Sequence, residues 1–492
     1  MLKVSRYNFK VPLKGNRALV YNSLSGATAL LEANEVVRLD EISRGEISGA
    51  SSTTQALLSA GFILRDTIDE MVELEKEYTR TRNDSQTLIL TIAPTLACNF
   101  GCDYCFQGAD KPVELMSAEV QNALVRFTAY QLAATKAKHL HVVWYGGEPL
   151  LGRGVIWSLS SRFMSLCLRL KLGYDAMIVT NGYHLSREVA SELVRYQVKQ
   201  AQITIDGDAT YHNERRTLLG GQATFDRIVD NIQAVVKDLP LRISVRVNID
   251  ERNCARIPGL LHQFVELGLS HRKTFHVYFA PVEAITEGCH GVASVCMSKA
   301  DYARLETELQ KIAFALGLTP LSYPSRFRGL CGAVRPHAFV AVPNGDLHKC
   351  WDTVSSPLMR VGSVLHPTSV HDLERLRSWD SWTPFDNEVC RDCKLLPSCA
   401  GSCAHKFVNP EQTRGEAASL PCPSWKYHIN ERLLRRAVEG GVISEDDYEA
   451  EDVTTDPTQI CSLHAHAGNA LQTGHKPTRF IPLTPVNEQC AL

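Results

Sequence analysis

Three cysteines lie close together in the run Leu96-Ala97-Cys98-Asn99-Phe100-Gly101-Cys102-Asp103-Tyr104-Cys105-Phe106. A Cys-x3-Cys-x2-Cys loop offers three thiolates to one metal centre and, from that loop, no fourth. Iron–sulfur cubanes are normally held by four cysteine thiolates, so a local set of three suggests a [4Fe–4S] cluster with one iron left open for a small molecule. An open coordination position is what separates a catalytic metal site from a closed structural one. Half of a zinc knuckle is the alternative, although zinc sites usually use paired Cys-x2-Cys elements. A second group lies further along. Thirteen residues separate Cys331 from Gly345, and four separate Gly345 from Cys350. Then come Cys390-x2-Cys393-x5-Cys399-x3-Cys403 and, after eighteen more residues, Cys422. Thiolate sets alone do not distinguish iron–sulfur from zinc.

Polar turns stand between the two groups. In Trp144-Tyr145-Gly146-Gly147-Glu148-Pro149 the glycines let backbone approach a ligand closely. Val179-Thr180-Asn181-Gly182 carries an ordinary Asn-Gly turn signal. Ile205-Asp206-Gly207 is followed by His212, Asn213 and Arg216, and Arg246 is a charge inside the apolar run Val245-Arg246-Val247-Asn248. A charge there needs a partner. The cysteine spacing, with an aromatic residue on each side of Cys105, resembles that of the radical S-adenosylmethionine (SAM) enzymes. That resemblance implies that SAM chelates the open iron of the Cys98/Cys102/Cys105 cluster. It further implies that Gly146, Gly147 and Glu148 hold the SAM amino group, and that Thr180 and Asn181 contact the ribose. Arg246 would face the SAM carboxylate. Asp206 would belong to an Asp-Gly-x4-His-Asp-x2-Arg signature, from which this chain departs by placing Asn213 where an acid is usual.

The later cysteines closely match the SPASM extension of such enzymes, which carries two auxiliary [4Fe–4S] clusters. The resemblance assigns Cys390, Cys393, Cys399 and Cys422 to one cluster, and Cys331, Cys350 and Cys403 to the other. The second set is one ligand short. Some relatives, such as anaerobic sulfatase maturases, have a further Cys where this chain has Ser325, leaving an open iron, a non-Cys ligand, or a distant Cys such as Cys289 or Cys296. The implied chemistry uses an electron from a flavodoxin or ferredoxin to cleave SAM. The resulting 5′-deoxyadenosyl radical removes a hydrogen from an unactivated carbon. The auxiliary clusters accept the electron left on the substrate, and Asp352, two residues past Cys350, is the candidate proton acceptor. The leading reading is a maturase that crosslinks or otherwise oxidatively alters a ribosomally made precursor peptide. A sulfatase maturase forming formylglycine and a non-catalytic zinc scaffold are the alternatives. Cys167 and Cys254 read as small buried hydrophobes, while Cys461 and Cys490 have no place in either pattern.

The 492 residues allow two to four domains. With 44% hydrophobic residues, 22% charged and a net charge of −2, the composition gives no reason to expect nucleic acid or a membrane as partner. The N-terminus lacks the apolar core of a signal peptide, and sixteen cysteines without an export signal point to metal in a reducing cytoplasm. Apolar strands at 87–93, 140–145, 176–180, 201–206, 242–249 and 274–280 alternate with amphipathic helices. This predicts βαβ units and a parallel sheet, which the resemblance specifies as a partial (β/α)6 barrel over 86–315. In parallel α/β barrels chemistry collects at the carboxyl ends of the strands. Residues 1–85 read as a small winged-helix-like module, similar to the leader-binding elements of peptide-modifying radical SAM enzymes, ending in a charged, solvated linker helix from Glu70 to Asp84. Residues 316–435 form the Cys-rich SPASM domain. Residues 436–492, with His464, His466 and His475 exposed, read as a poorly ordered tail.

Overall fold

The computed structural model describes residues 1–46, 51–320, 326, 327, 329–449 and 453–466. Ser325, His475 and Cys490 lie outside the described residues. The N-terminal unit contains β1 (Leu2–Val4), β2 (Asn8–Leu13), β3 (Arg17–Asn22), β4 (Thr28–Leu31), α1 (Ala33–Ser43), α2 (Ser52–Ala60), β5 (Ile63–Arg65) and α3 (Glu70–Arg82). Strands β2, β3 and β4 form an antiparallel meander, and β1 pairs with β5. Helix α2 stops at Gly61, whose φ of 78° lies in the left-handed region that glycine enters without a Cβ clash.

The core alternates β6 (Thr87–Ile92), α4 (Ala118–Thr135), β7 (His139–Trp144), α5 (Arg153–Leu170), β8 (Gly173–Thr180), α6 (Arg187–Arg195) and β9 (Val198–Thr204). It continues with α7 (Ala209–Arg215), α8 (Phe225–Asp238), β10 (Arg242–Ile249), α9 (Ile257–Glu266), β11 (Phe275–Pro281) and α10 (Lys299–Ala315). Strands β6 to β11 are parallel neighbours in chain order. Side-chain caps set several helix starts: Ser117 accepts from the Val120 amide and Ser186 from the Val189 amide. The register aligns Ile92 with Trp144, and Trp144 with Ile178. The turns after β6, β7 and β8 therefore emerge at one edge of the sheet.

Three expectations need correction. The sheet does not end with the core: β12 (Ala338–Ala341) pairs parallel to β6, and β13 (Asp346–His348) and β14 (Gly362–Ser363) extend it to nine strands. Without β12, strand β6 would present an unpaired edge. Helix α3 is not a solvated linker. Leu74 and Tyr78 are buried against Phe385 and Leu396, and buried Glu70 accepts from the Ser5 hydroxyl and the Arg6 amide. Arg82 at its end donates to the carbonyls of Val334, Trp379 and Trp382. The tail is packed as far as residue 466. Helix Ile429–Glu439 is followed by Ile443, Val453, Ile460 and Cys461, which share a core with Phe9, Val11, Leu13, Leu19 and Tyr21. These few apolar residues sit among acids and show no periodicity, so only the tertiary sheet face they cover reveals them.

Deleting buried methylenes costs transfer and cavity energy together. Ile460→Ala should lower the unfolding free energy by ~2–5 kcal/mol. Chemical denaturation of the full chain measures this, and a variant matching the parent would mean that the segment does not pack.

Candidate active site

The loop that follows β6 carries Cys98, Cys102 and Cys105, and the chain holds it from several sides. The Gly101 amide donates to the Thr217 carbonyl at 3.2 Å and the Leu219 amide to the Asn99 carbonyl at 2.9 Å. Arg215 pairs with Asp103 at 2.8 Å and with Asp250 at 2.9 Å, and its guanidinium lies 4.2 Å from the centre of the Tyr104 ring. Tyr104 donates its hydroxyl to Asp206 and accepts from Arg216. Arg216 is the nearest cation acting on Cys102. Burial pushes the Cys98 thiol up to about 12, with Glu148 adding to the shift, which favours its neutral form until a metal takes the proton's place.

Gly146 and Gly147 form the turn after β7 and pack directly on this loop. A Cβ at Gly146 would meet the Thr95 carbonyl oxygen at 2.3 Å, and one at Gly147 the Ala97 carbonyl oxygen at 2.2 Å. Glycine is required at both places because backbone meets backbone. Glu148 is fully buried. It accepts from the Leu150 amide at 2.9 Å, the Thr180 hydroxyl at 2.7 Å and the Asn181 amide at 2.7 Å. Burial raises its pKa, and these bonds oppose the rise. The Asn181 side chain donates to Asn99 at 2.8 Å and accepts from the Tyr183 amide at 3.0 Å.

Asp206 is likewise occupied by protein, through Tyr104 and the Asn248 amide at 3.0 Å. Glu148, Thr180, Asn181 and Asp206 thus shape the site by fixing its turns and Tyr104. Arg246 donates to Asn248 at 2.7 Å and lies near Tyr145 and Tyr278. Asn213 does not stand in for an acid: its side-chain oxygen accepts from the Thr224 and Phe225 amides at 2.9 and 3.0 Å and caps α8.

The later cysteines form two groups. Cys390, Cys393, Cys399 and Cys422 line one apolar cavity with Leu395, Phe407, Leu420 and Lys426. The buried Lys426 ammonium lies 3.7 Å from the Cys422 sulfur. Burial, the largest influence on it, disfavours its charge, but Cys422, Cys393, Cys461 and Cys390 outweigh this and leave its pKa raised. Cys350 has Cys331, Cys403 and Asp352 around it. Asp352 is pushed up to about 6 by burial. Cys289 and Cys296 are elsewhere, packed with Val282 and Val292 beside Tyr104. Cys167 is buried in the barrel core, whereas Cys254 is only half-buried and bonds to the Glu251 carbonyl.

Among the described residues, no three His, Cys, Asp or Glu side chains converge tightly enough to hold a single metal ion. A cubane spreads its thiolates over separate irons and does not require that convergence. An apolar cavity walled by four thiols and one buried ammonium suits an anionic cluster. The residues therefore fit the groups that the fold implies.

Sequence reading missed three features. Phe106, Tyr145 and Trp351 stack in series with ring centroids 6.0 and 5.1 Å apart, joining the residue after Cys105 to the residue after Cys350. Only their positions beside the cysteine motifs hinted at this. Lys426 gave no signal, being one lysine among many. Cys461, from the supposed loose tail, is buried beside Cys393 and bonds to the Val389 carbonyl at 3.3 Å.

Residues 92–248 match the family model described as the Radical SAM superfamily. A serine-type anaerobic sulfatase-maturating enzyme from Klebsiella pneumoniae is 34% identical over 329 residues, which is 62% of this chain and 79% of that protein. The mycofactocin maturase MftC of Mycobacterium tuberculosis is 25% identical over 333 residues, covering 65% of this chain and 79% of that protein. Among solved structures, native anSMEcpe with bound AdoMet superposes with a TM-score of 0.54 at 18% identity, over 72% of this chain and 98% of that one. The chain belongs to the radical SAM superfamily and is an enzyme of radical chemistry. The family brings a [4Fe–4S] cluster and SAM. Among the described residues, no helix is long and apolar enough to cross a membrane.

Glu148→Gln would put an amide donor against the Asn181 and Leu150 amides. We expect a loss of ~1–3 kcal/mol in stability and weaker SAM binding, read by denaturation and by equilibrium dialysis. Unchanged SAM affinity would sever Glu148 from the site. His348 is buried, and burial followed by Arg360 and Arg375 pushes its pKa down to about 4. An unfolded histidine takes its proton near 6.5 while the native one stays neutral, so stability falls as pH drops from about 6.5 towards 4. This loss amounts to ~1.4 kcal/mol per pH unit. His348→Gln removes it, so the stability gap between parent and variant should narrow by ~2 kcal/mol from about pH 7 to about pH 5. A constant gap would contradict the assignment.

Proposed function

We propose that this enzyme is a maturase that oxidatively modifies a peptide, with Cys98, Cys102 and Cys105 holding the SAM-binding cluster. In this reading Cys390, Cys393, Cys399 and Cys422 hold one auxiliary cluster, and Cys331, Cys350 and Cys403 hold the other. The observation that carries it is the Phe106–Tyr145–Trp351 stack, which sets the SAM loop and the Cys350 turn against each other across two ring contacts. Chemistry begun at one cysteine set is then within reach of the other. When bound, SAM and the reduced cluster supply a radical able to take hydrogen from carbon. The chain's own part is positional. Gly146 and Gly147 let the turn after β7 close on the cysteine loop, Arg246 offers a cation to the ligand's carboxylate, and Tyr104, held by Asp206 and Arg216, closes one wall. The electron would come from a flavodoxin or ferredoxin.

Peptide substrates are supported by two observations. The relatives are named for maturing mycofactocin and a sulfatase, and a structure of similar fold holds AdoMet together with a Kp18Cys peptide. The N-terminal unit is the site we assign to a leader segment, because β4 is an edge strand of its sheet and an extended peptide can pair there. That unit cannot be tested by deletion. Its strands share a core with Val389, Cys393 and Leu395, so removing it would open the auxiliary site.

The 34% identity to a sulfatase-maturating enzyme keeps formylglycine formation as the second reading. One assay separates the two. Anaerobically reconstituted enzyme with dithionite and SAM should release 5′-deoxyadenosine, and Cys98→Ala should abolish release. A leader-bearing precursor peptide should change mass and protect the amides of residues 28–31 from hydrogen exchange. Modification of a sulfatase-derived Ser or Cys peptide instead would favour the second reading, and no 5′-deoxyadenosine with any peptide would sink both.

A further inference from the structure

Cys331, Cys350 and Cys403 supply three thiols where a cubane takes four ligands. Among the described residues, every other thiol is committed elsewhere. Cys289 bonds to the Thr286 carbonyl and Cys296 to the Val292 carbonyl, while Cys461 lies with Cys393. The group that does face the set is a carboxylate. Asp352 Oδ2 lies 3.5 Å from the Cys350 sulfur. It is also close enough to act electrostatically on Cys331 and Cys403.

The surroundings leave that carboxylate without a competing partner. The cations nearest to it are used: Lys406 pairs with Glu283 at 2.5 Å, and Arg246 donates to Asn248 at 2.7 Å. Among the described residues, the Asp352 side chain bonds only to the Cys350 thiol. Its direction is fixed from both sides of the 3₁₀ turn Trp351–Thr353. On one side Trp351 stacks on Tyr145, and on the other the Thr353 hydroxyl donates to the Cys350 carbonyl at 2.7 Å while meeting His348 Nδ1 at 3.1 Å. A half-buried carboxylate held against the Cys350 thiol, with no other hydrogen bond among the described residues, is available to a metal bound at this cysteine set.

We propose that Asp352 is the fourth ligand of the Cys331/Cys350/Cys403 cluster, binding its iron through a carboxylate oxygen. The carboxyl group binds as its anion, any proton it carries passing to solvent, and displaces a water molecule from the iron, which is neither oxidised nor reduced in that step. The assignment rests on the reading that these cysteines hold a cluster. It replaces the proton-acceptor role that sequence position suggested for Asp352. A carboxylate oxygen is a harder donor than a thiolate, so the iron it holds should be the one most easily lost.

The test uses the full chain carrying Cys98→Ala, Cys102→Ala and Cys105→Ala, reconstituted anaerobically, so that only the auxiliary clusters remain. Asp352→Ala should yield a [3Fe–4S] electron paramagnetic resonance signal on mild oxidation and a lower iron-to-sulfide ratio. Asp352→Cys should restore full iron, suppress that signal and lower the midpoint potential. Asp352→Asn keeps the shape of the site and should behave as Asp352→Ala. If Asp352→Ala and Asp352→Asn both keep the parent's spectrum, iron content and potential, Asp352 is not a ligand. Adding Cys331→Ala and Cys350→Ala should remove one cluster's worth of iron and sulfide. Unchanged content there would show that no cluster is held at this site, and the assignment would fall together with the reading beneath it.

Discussion

The site depends on one fully buried carboxylate. Glu148 leaves the turn after β7, is buried completely, and ties down the Leu150 amide, the Thr180 hydroxyl and the Asn181 amide. Its own amide donates to the Ala97 carbonyl at 2.8 Å, one residue before Cys98. One residue therefore joins three strand ends: the cysteine loop of β6, the glycine turn of β7 and the Thr-Asn-Gly turn of β8. Hydrogen bonds to a charged group are worth about 1.5–3 kcal/mol each. Removing a carboxylate from water costs several kcal/mol, so three such bonds roughly offset its burial. Asp206 repeats the device at β9, holding Tyr104 and the β10 backbone together.

The cysteines obey the same electrostatics with the opposite result. Burial pushes Cys399 and Cys403 up to about 11, and Cys98 to about 12, so the metal-free chain keeps neutral thiols in its interior. Neutral thiols pack as small hydrophobes, which is why Cys393 belongs to an apolar core with Leu395 and Leu420. On the proposed reading a cluster would take the place of those protons, and the buried Lys426 ammonium stands beside Cys422 as a counter-ion. The protein is thus folded around apolar thiols and electrostatically prepared for thiolates.

The six parallel strands were legible in the sequence because each is a short apolar run ended by a turn signal, and their order follows from right-handed βαβ connections. The family resemblance had grouped Cys390, Cys393, Cys399 and Cys422, and these four line one cavity. The hydrogen-bond partners of Glu148, Thr180, Asn181 and Asp206 were not legible, because a motif names the residues of a turn without saying which way each side chain points. In the structure those side chains bond to the protein's own backbone and side chains. The continuation of the sheet into β12, the packing of α3 and the ordered segment to 466 escaped for a related reason. Each is held by contacts from distant parts of the chain, such as Tyr78 on Phe385 at 5.4 Å, and carries too few apolar residues to show periodicity.

The N-terminal unit and the four-thiol cavity are one piece of core. Phe9, Val11 and Leu19 bury against Val389, Leu395 and Leu433, and Cys393 sits in the same layer. Arg6 donates to the Arg391 carbonyl at 3.0 Å, and Ser23 to the Lys394 carbonyl, so the backbone between Cys390 and Cys399 is pinned by residues almost four hundred positions away. Mutations on the two sides of such a layer do not act independently. A peptide held on that sheet would be held at a fixed distance from the thiols beneath it, which lowers the entropic cost of presenting a substrate. That shared layer builds the N-terminal unit into the cysteine-rich region rather than joining it by a linker.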